Sequence, residues 1–258
     1  MVHTQTQDKK FMLGQGVVIF VYLAILTGLE FLVAISFDSV PLLVVVALVK
    51  AALVAYYYMH VYKLNLESES DEIESYEYKS GTNRLGLWLF LVSDTFVFAG
   101  LMAMRINLLG LTRPELNQFL GLGVTAVLLI SSFFMNRGET LLHNGDRQGF
   151  LRNTALTFVL GLGFLLGVVL VEWPSASREG LTPSSGVAGA AFYMMTGMHA
   201  FHVFTGLILL VIVWMNGRRG LYDAKNYPVE AAAVYWHFVD VVWIFFYPAL
   251  YLIGTAVK

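Results

Sequence analysis

The stretch VEAAAVYWHFVDVVWIFFYPALYLIG, Val229–Gly254, decides the fold class of this chain. Its length and apolar composition suit a transmembrane helix, which needs about 20 such residues to cross the hydrocarbon core. The same stretch carries Glu230, His237 and Asp240 on one helical face, and ionisable side chains are costly inside a bilayer. That face is tolerable only when it packs against other helices, so the stretch predicts a helical bundle rather than an isolated span.

The composition of the 258-residue chain is that of a membrane protein. Hydrophobic residues make up 57% of the sequence and charged residues 13%, whereas roughly a quarter of the residues of soluble domains are charged. The formal net charge of −2 gives no electrostatic basis for binding nucleic acid. The sequence contains no cysteine, which excludes disulfides, thiolate metal sites and iron–sulfur clusters.

Seven apolar runs are candidate transmembrane helices: Phe11–Ser36, Pro41–Tyr62, Leu85–Leu108, Leu116–Met135, Leu151–Glu172, Val187–Met215 and Val229–Val257. The runs do not alternate with a period of two, so strands are not expected. Pro248 lies inside the last run, where it should kink the helix or mark its fraying end. The predicted fold is an all-α membrane protein of seven transmembrane helices, a two-helix hairpin followed by a five-helix bundle.

The distribution of lysine and arginine predicts the orientation in the membrane. With the N-terminus in the cytoplasm, eleven basic residues fall on the cytoplasmic side: Lys9, Lys10, Lys63, Lys79, Arg84, Arg137, Arg147, Arg152, Arg218, Arg219 and Lys225. Four fall on the external side: Arg105, Arg113, Arg178 and Lys258. Because cytoplasmic loops carry an excess of Lys and Arg, we expect a cytoplasmic N-terminus and an external C-terminus.

An acidic segment divides the chain into two parts. Asn65–Asn83 contains six acidic residues between Glu67 and Glu77 and has no apolar periodicity. Like charges at this density repel one another and stay solvated. The predicted organisation is a transmembrane hairpin over 1–64, an acidic cytoplasmic linker over 65–83 and a five-helix domain over 84–258. The linker is either a flexible connection or a docking segment for a basic partner.

Asp94 lies about 15 Å into the third predicted helix, near the middle of the membrane. At that depth its carboxyl group needs a partner side chain, a water-lined interior or a bound proton. Asp94 therefore either takes part in proton transfer or forms a structural hydrogen bond. His199 and His202 lie at i, i+3 in the sixth helix, at an overlapping depth, and an imidazole beside a carboxylate can share its proton. The alternative is that His199 or His202 binds haem together with His237.

Two further groups of charged residues suggest specific contacts. Glu30 and Lys50 lie at a similar depth in the N-terminal hairpin, so we predict that they form an ion pair; the alternative is that Lys50 extends alone towards the membrane surface. Arg218 and Arg219, at the cytoplasmic end of the sixth helix, are candidates for binding lipid phosphates. The alternative is that they are ordinary basic residues of a cytoplasmic loop.

Several motifs resemble cytochrome c oxidase subunit III. The stretch Glu230–Gly254 resembles the last helix of that family, and TGMHAFHVFTGLIL, Thr196–Leu209, resembles the helix before it. NRLGLWLFLVSDTFVFAG, Asn83–Gly100, is similar to an early helix of the family, where a serine–glutamate pair is usual and this chain has Ser93–Asp94. Leu141–Trp173 is similar to the middle hairpin.

The first hairpin resembles a different family. VYLAILTGLEFLVA, Val21–Ala34, and LVKAALVAYYYMHVYKL, Leu48–Leu64, are similar to the small bacterial cytochrome c oxidase subunit IV. The two resemblances together imply a fusion of a subunit IV-like hairpin with a subunit III.

The resemblance implies a non-catalytic integral subunit of a proton-pumping haem–copper terminal oxidase, which passes electrons from cytochrome c to oxygen in aerobic respiration. Such a subunit lies in the bacterial cell membrane, stabilises the catalytic subunit I beside the copper-bearing subunit II, holds phospholipid and supports proton uptake. Haem and copper are expected in those partners and no metal or cofactor in this chain, with cytochrome c met only indirectly.

By the same resemblance, the polar residues inside the membrane form a buried scaffold. Its members are Asp94, His199, His202, Glu230, His237 and Asp240. The alternatives are a subunit III of a quinol oxidase, an accessory protein of a nitric oxide reductase, a stand-alone b-type cytochrome, or a small transporter that uses Asp94.

Overall fold

The computed structural model describes residues 2–36, 39–59, 76–222 and 227–257. The helices are α1 (Val2–Ser36), α2 (Val40–Leu53), α3 (Tyr76–Leu109), α4 (Gln118–His143), α5 (Arg147–Leu166), α6 (Trp173–Arg178), α7 (Val187–Arg218) and α8 (Tyr227–Tyr247). Three π-helical turns prolong α2, α5 and α8: Val54–Tyr58, Gly167–Glu172 and Pro248–Leu252. Within these residues, seven helical segments are long and apolar enough to cross a membrane, which confirms the predicted fold class.

Local sequence signals explain where several helices begin. The side chain of Asn117 accepts a hydrogen bond from the Leu120 N–H at the start of α4, and Asp146 does the same for the Gly149 N–H at the start of α5. These contacts satisfy N–H groups that have no partner within the helix. At the other end of the bundle, Pro248 lies where α8 changes into a π-helical turn, because proline cannot donate to the helical ladder.

The predicted boundary of the acidic linker is partly wrong. α3 begins at Tyr76, so residues 76–83 of the predicted 65–83 linker are helical, while residues 65–75 lie outside the described residues. The helix extends beyond the apolar run because a formed helix adds residues cooperatively once it is nucleated. The same effect carries α4 to His143, past the predicted end at Met135.

The seven spans are helices as predicted, but two short strands lie outside them, one of which occupies the end of the last apolar run. Strands β1 (Thr112–Pro114) and β2 (Thr255–Val257) pair in parallel, with Thr112 opposite Thr255. The last span therefore ends at Leu252, short of the predicted Val257. Gly254 makes the turn into β2 at φ +96°, where an added Cβ would collide with the backbone of Leu111. Hydropathy could not distinguish this apolar strand from the end of a helix.

The last helix is the centre of the bundle. α8 packs against α2, α3, α4 and α7, and Trp236 and Trp243 are among its fully buried side chains. The Trp236 ring occupies space beside Gly161 of α5 and Gly206 of α7, where an added Cβ would collide with it. Glycines at these two positions therefore allow the three helices to approach closely around one large aromatic residue.

The N-terminal hairpin packs on one side of this centre. α1 contacts α2 and α4, and α2 contacts α8. α3 packs on α7 and α8, and cavities separate it from α2. The arrangement produces a cleft between the hairpin and α3, and it places α8 between two groups of polar residues.

Candidate functional site

The first polar group joins α3 to α7. The Nε2 atom of His202 lies 3.1 Å from Oδ2 of Asp94, in the geometry of an ion pair rather than of a well-aligned hydrogen bond. The Nδ1 atom of His202 lies 2.8 Å from the Met198 carbonyl oxygen, which can only accept, so Nδ1 carries a hydrogen. An attractive contact between Nε2 and Asp94 therefore requires one proton, either on the carboxyl group or on the imidazole.

A groove lies beside this pair. His202, Thr205 and Tyr235 line a space of about 770 Å³ between α3, α7 and α8 whose other walls are largely apolar. The hydroxyl groups of Thr205 and Tyr235 are 2.6 Å apart, and the Phe98 ring packs edge-on against the His202 ring at 4.7 Å. The proton of the Asp94–His202 pair is thus held next to hydroxyl groups at the wall of a groove.

His199 does not join the pair, although it is only three residues from His202. Its ring lies between aromatic side chains, 4.8 Å from Trp243 and 5.5 Å from Phe164. Both ring nitrogens lack a hydrogen-bond partner among the described residues. The i, i+3 spacing indicated a common face, but one helical turn is enough to direct the two imidazoles towards different neighbours.

The second polar group lies between the hairpin, α4 and α8. Ser132 Oγ is 2.7 Å from Nδ1 of His237, and the Asp240 carboxyl group also hydrogen-bonds to Ser132. Lys50 Nζ is 2.8 Å from Glu30 Oε2, with both side chains fully buried, and Lys50 acts electrostatically on Asp240 as well. The predicted contact of Glu30 with Lys50 is thus present, and it belongs to a larger group that includes two residues of the last helix.

Glu230 belongs to neither group. Both of its carboxylate oxygens accept hydrogen bonds from the guanidinium of Arg84, at 3.2 and 3.1 Å. The two side chains are partly exposed and connect the start of α8 to α3. Glu230 therefore has a different partner from His237 and Asp240, although the three residues share one helical face.

Arg105 and Ser132 are structural residues that sequence reasoning missed. The Arg105 guanidinium is buried and donates to carbonyl oxygens in three segments of the chain: those of Gly110, Thr112, Ala249 and Ile253. Its position at the end of a span indicated only an external basic residue. Ser132 is one of two adjacent serines inside an apolar run, and this pair was the sequence signal that could have indicated a polar contact at that place on α4.

Arg218 and Arg219 are both exposed at the end of α7. The Arg218 guanidinium lies 4.9 Å above the Trp214 ring, and Trp214 lines a groove of about 330 Å³ between α5 and α7. The arrangement places a cation at the end of an apolar groove.

His199, His202 and His237 occupy three separate environments. His202 contacts Asp94, His237 contacts Ser132, and His199 is enclosed by aromatic rings. Over the part of the chain that the structure describes, no three His, Cys, Asp or Glu residues are grouped so that they could hold a metal ion. Among His199, His202 and His237, no two face one another as the axial ligands of a b-type haem do.

Comparison with known proteins identifies a matching family model and several relatives. The family model described as cytochrome c oxidase subunit III matches residues 14–255. The cytochrome c oxidase subunit 3 of Thermostichus vulcanus is 34% identical over 181 residues, 66% of this chain and 86% of the relative. That of Bacillus sp. strain PS3 is 35% identical over 184 residues, 67% and 87% of the two chains. A probable quinol oxidase subunit 3 of Staphylococcus epidermidis is 30% identical over 198 residues, 73% and 98%.

The extent of the family match bears on the N-terminal hairpin. It begins at residue 14 and therefore includes most of α1 and all of α2, while the likeness of this hairpin to subunit IV remains a prediction. It ends at residue 255, so it takes in all seven membrane-spanning segments. The chain belongs to the cytochrome c oxidase subunit III family.

Proposed function

We propose that this subunit III of a haem–copper oxidase has no redox centre of its own and stabilises the catalytic subunit I beside the copper-bearing subunit II. The observation that carries the proposal is that six ionisable groups of the bundle form three pairs within the chain: Asp94 with His202, Glu30 with Lys50, and Glu230 with Arg84. Side chains that neutralise one another in this way form a scaffold. Haem and copper then belong to the partner subunits.

The chain is a multi-pass protein of the bacterial cell membrane. The excess of Lys and Arg in the segments that precede the odd-numbered spans supports a cytoplasmic N-terminus and an external C-terminus. In this orientation Arg84, Glu230, Arg218 and Arg219 lie near the cytoplasmic surface. Proton uptake by a respiratory oxidase occurs on that side.

Support of proton uptake is assigned to Asp94 and His202. Their contact holds one proton beside the groove between α3, α7 and α8, and a carboxyl group next to an imidazole can share and exchange that proton. The groove extends from His202 past Leu87 to Pro228 at the start of α8, which is the cytoplasmic end in the proposed orientation.

Lipid binding is assigned to two places. The cleft between α2 and α3 contains cavities of about 400 and 380 Å³, both bordered by Met102 and Phe245, and its apolar walls suit acyl chains. The groove beside Trp214 suits another acyl chain, and Arg218 and Arg219 at its end could bind the lipid phosphate. Phospholipid held in these places would fill spaces that this chain leaves between its own helices.

The electron donor is proposed to be cytochrome c, which meets this chain only through the complex. The specific observation that favours a second candidate is the likeness to a probable quinol oxidase subunit 3, which makes a quinol the alternative donor. Subunit III binds neither donor in this proposal, so the two candidates differ in the partner subunits and not in the residues of this chain.

The test is to purify the affinity-tagged chain from native membranes in a mild detergent and to identify the copurifying polypeptides by mass spectrometry. We expect a large haem-bearing subunit and a copper-bearing subunit, and the sequence of the latter will distinguish cytochrome c from quinol as the donor. Untagged membranes carried through the same steps provide the control. A chain that is recovered alone and carries a haem spectrum would contradict the proposal.

A further inference from the structure

A small cavity with a polar wall lies where the N-terminal hairpin meets α4. Its volume is about 30 Å³, and it is bordered by residues of α1, of the π-helical turn after α2, and of α4: Gln15, Gly16, Ile19, Tyr57, Tyr58, Asn136 and Thr140. The spaces assigned to lipid above are much larger, at about 330–400 Å³, and have apolar walls. The cavity beside α4 therefore requires a different kind of occupant.

Asn136 has the polar side chain of this cavity that is buried without a partner. It is 7% exposed, and its amide group forms no hydrogen bond with any residue that the structure describes. A Cβ added at Gly16 would lie 2.7 Å from the Asn136 Oδ1 atom, so the amide is held directly against the backbone of α1. Because a buried amide is strongly destabilised when its hydrogen bonds are not made, this group needs a ligand.

Two hydroxyl groups of the cavity wall have already used their hydrogen atoms. The Thr140 hydroxyl donates to the backbone carbonyl oxygen of Asn136 at 3.0 Å, and the Tyr58 hydroxyl donates to that of Gly16 at 3.1 Å. Each hydroxyl oxygen remains an acceptor, whereas the Asn136 amide supplies two N–H donors and one acceptor. The cavity thus offers donors and acceptors together.

The size and chemistry of the wall select water among the possible occupants. About 10–15 Å³ of such space is sufficient for one water molecule, which then makes about three hydrogen bonds to buried polar groups. An acyl chain would leave the polar groups of the wall without partners. No carboxylate is among the described residues that border the cavity, so it lacks the ligands that a divalent cation prefers.

The neighbouring contact between the same two helices is apolar. The Phe20 ring of α1 packs on the Phe133 ring of α4, with the ring centroids 4.9 Å apart. Phe20 lies one helical turn after Gly16, and Phe133 lies one turn before Asn136. The polar cavity is therefore confined to one end of the contact between α1 and α4.

We propose that this cavity binds one or two water molecules that connect the N-terminal hairpin to α4. The Asn136 amide donates to the water, and the water donates in turn to the hydroxyl oxygen of Tyr58 or Thr140. Gln15, at the rim of the cavity, is exposed, which allows the water to exchange. Glycine at position 16 is required because a Cβ there would displace the amide that holds the water.

The experiment is electron cryo-microscopy of the purified complex, at a resolution that shows bound water elsewhere in its interior. We expect density for one or two water molecules at about 2.7–3.2 Å from the Asn136 amide, and the loss of this density in Asn136→Leu, which has a similar volume and no polar atom. Asn107→Leu is the matched control. It removes an exposed asparagine of α3 whose amide donates to the Ala103 carbonyl oxygen, and it should keep the density.

Three results would overturn the proposal. The first is the absence of density beside the wild-type amide, and the second is density that persists unchanged in Asn136→Leu. The third is density that only oxygen atoms surround, at about 2.3–2.6 Å, because those distances indicate a metal cation.

A measurement on the wild type alone decides the question if Asn136→Leu does not assemble. Brief X-ray radiolysis converts bound water into hydroxyl radicals that label the adjacent side chains, and mass spectrometry locates the label. In complex equilibrated with oxygen-18 water, Tyr58 should be labelled and Trp243 should not, although both are 1% exposed. An unlabelled Tyr58, or equal labelling of the two, overturns the proposal. These results concern side chains of this chain, so they hold whichever partner subunits copurify.

Discussion

The ammonium group of Lys50 lies 2.8 Å from the carboxylate of Glu30, and neither side chain is exposed. This contact joins the two helices of the N-terminal hairpin inside the membrane. Lys50→Met alone leaves Glu30 as a buried charge without its cation, and we expect a loss of about 3–5 kcal/mol in stability. The double variant Glu30→Leu with Lys50→Met should recover most of that loss. Thermal unfolding of the detergent-solubilised protein measures both, and equal losses in the two variants would contradict the pairing.

Asp94→Asn should separate proton handling from folding. Asparagine keeps the size of the side chain and can donate its amide hydrogen to His202, so the stability should change by less than about 1 kcal/mol. The amide cannot share a proton with the imidazole, and proton uptake by the complex should slow. Asp94→Glu is the control, because it restores a carboxyl group and should keep the uptake rate closer to the wild type. Normal uptake in an assembled Asp94→Asn complex would exclude the role.

The contact of Gly161 with Trp236 predicts a pair of substitutions with opposite effects. A Cβ at Gly161 would collide with the indole ring, so Gly161→Ala should lower the stability by about 1–3 kcal/mol through overpacking. A Cβ at Gly163, two residues along the same helix, would meet nothing within 4 Å. Gly163→Ala should be neutral or should stabilise by up to about 1 kcal/mol, because alanine favours the helix. Melting temperatures of both variants test the comparison.

The guanidinium of Arg105 predicts a cooperative loss of order at one end of the bundle. Its bonds to carbonyl oxygens, 2.6–3.0 Å long, satisfy acceptors in the turn after α3, in β1 and after α8. Removing the donor leaves buried carbonyl groups unsatisfied at about 1–3 kcal/mol each. Arg105→Met should therefore increase hydrogen exchange over 110–114 and 249–257, and Arg105→Lys should do so less. Exchange that rises only near residue 105 would contradict this role.

The bidentate contact between Arg84 and Glu230 should contribute much less to stability than the buried Glu30–Lys50 pair. Both side chains are partly exposed, and such pairs contribute about 0.2–1 kcal/mol. A double-mutant cycle with Arg84→Gln and Glu230→Gln should give a coupling free energy in this range. The coupling should decrease at high salt, since the pair is accessible to screening ions. A coupling that salt does not change would mean that the pair is more deeply buried in the complex.

Hydropathy predicted the large features of the fold because bilayer thickness limits the length of a helix that crosses it. The seven spans follow from this constraint. Tyr76 and His143 lie beyond the predicted helix ends because a helix can continue into water after its apolar run has ended, so hydropathy does not mark where it stops. The strand Thr255–Val257 was assigned to the last helix for a similar reason. Its pairing with residues 112–114 depends on a contact distant in sequence, which no local pattern contains.

For the candidate site, the sequence predicted the types of residue and their depths in the membrane, but not which residues contact one another. Mid-membrane depth correctly placed Asp94 near the histidines of α7, yet it could not distinguish His202 from His199, because the choice depends on which side chain faces α3. The depths of Glu30 and Lys50 suggested their contact. Ser132 escaped notice because a hydroxyl group costs little in an apolar helix, so its presence there calls for no explanation.

The central position of α8 has a consequence for biosynthesis, because this helix leaves the ribosome after α1 to α7. Until α8 inserts, Arg84 lacks its partner Glu230 and Ser132 lacks its partner His237. The space that Trp236 later occupies between α5 and α7 must then be filled by lipid or closed by the two helices. The bundle formed by the earlier helices is therefore incomplete, and it reaches its stable packing only when α8 inserts. A chain that terminates before Tyr227 should be recognised by membrane proteases, however completely its first six spans have been inserted.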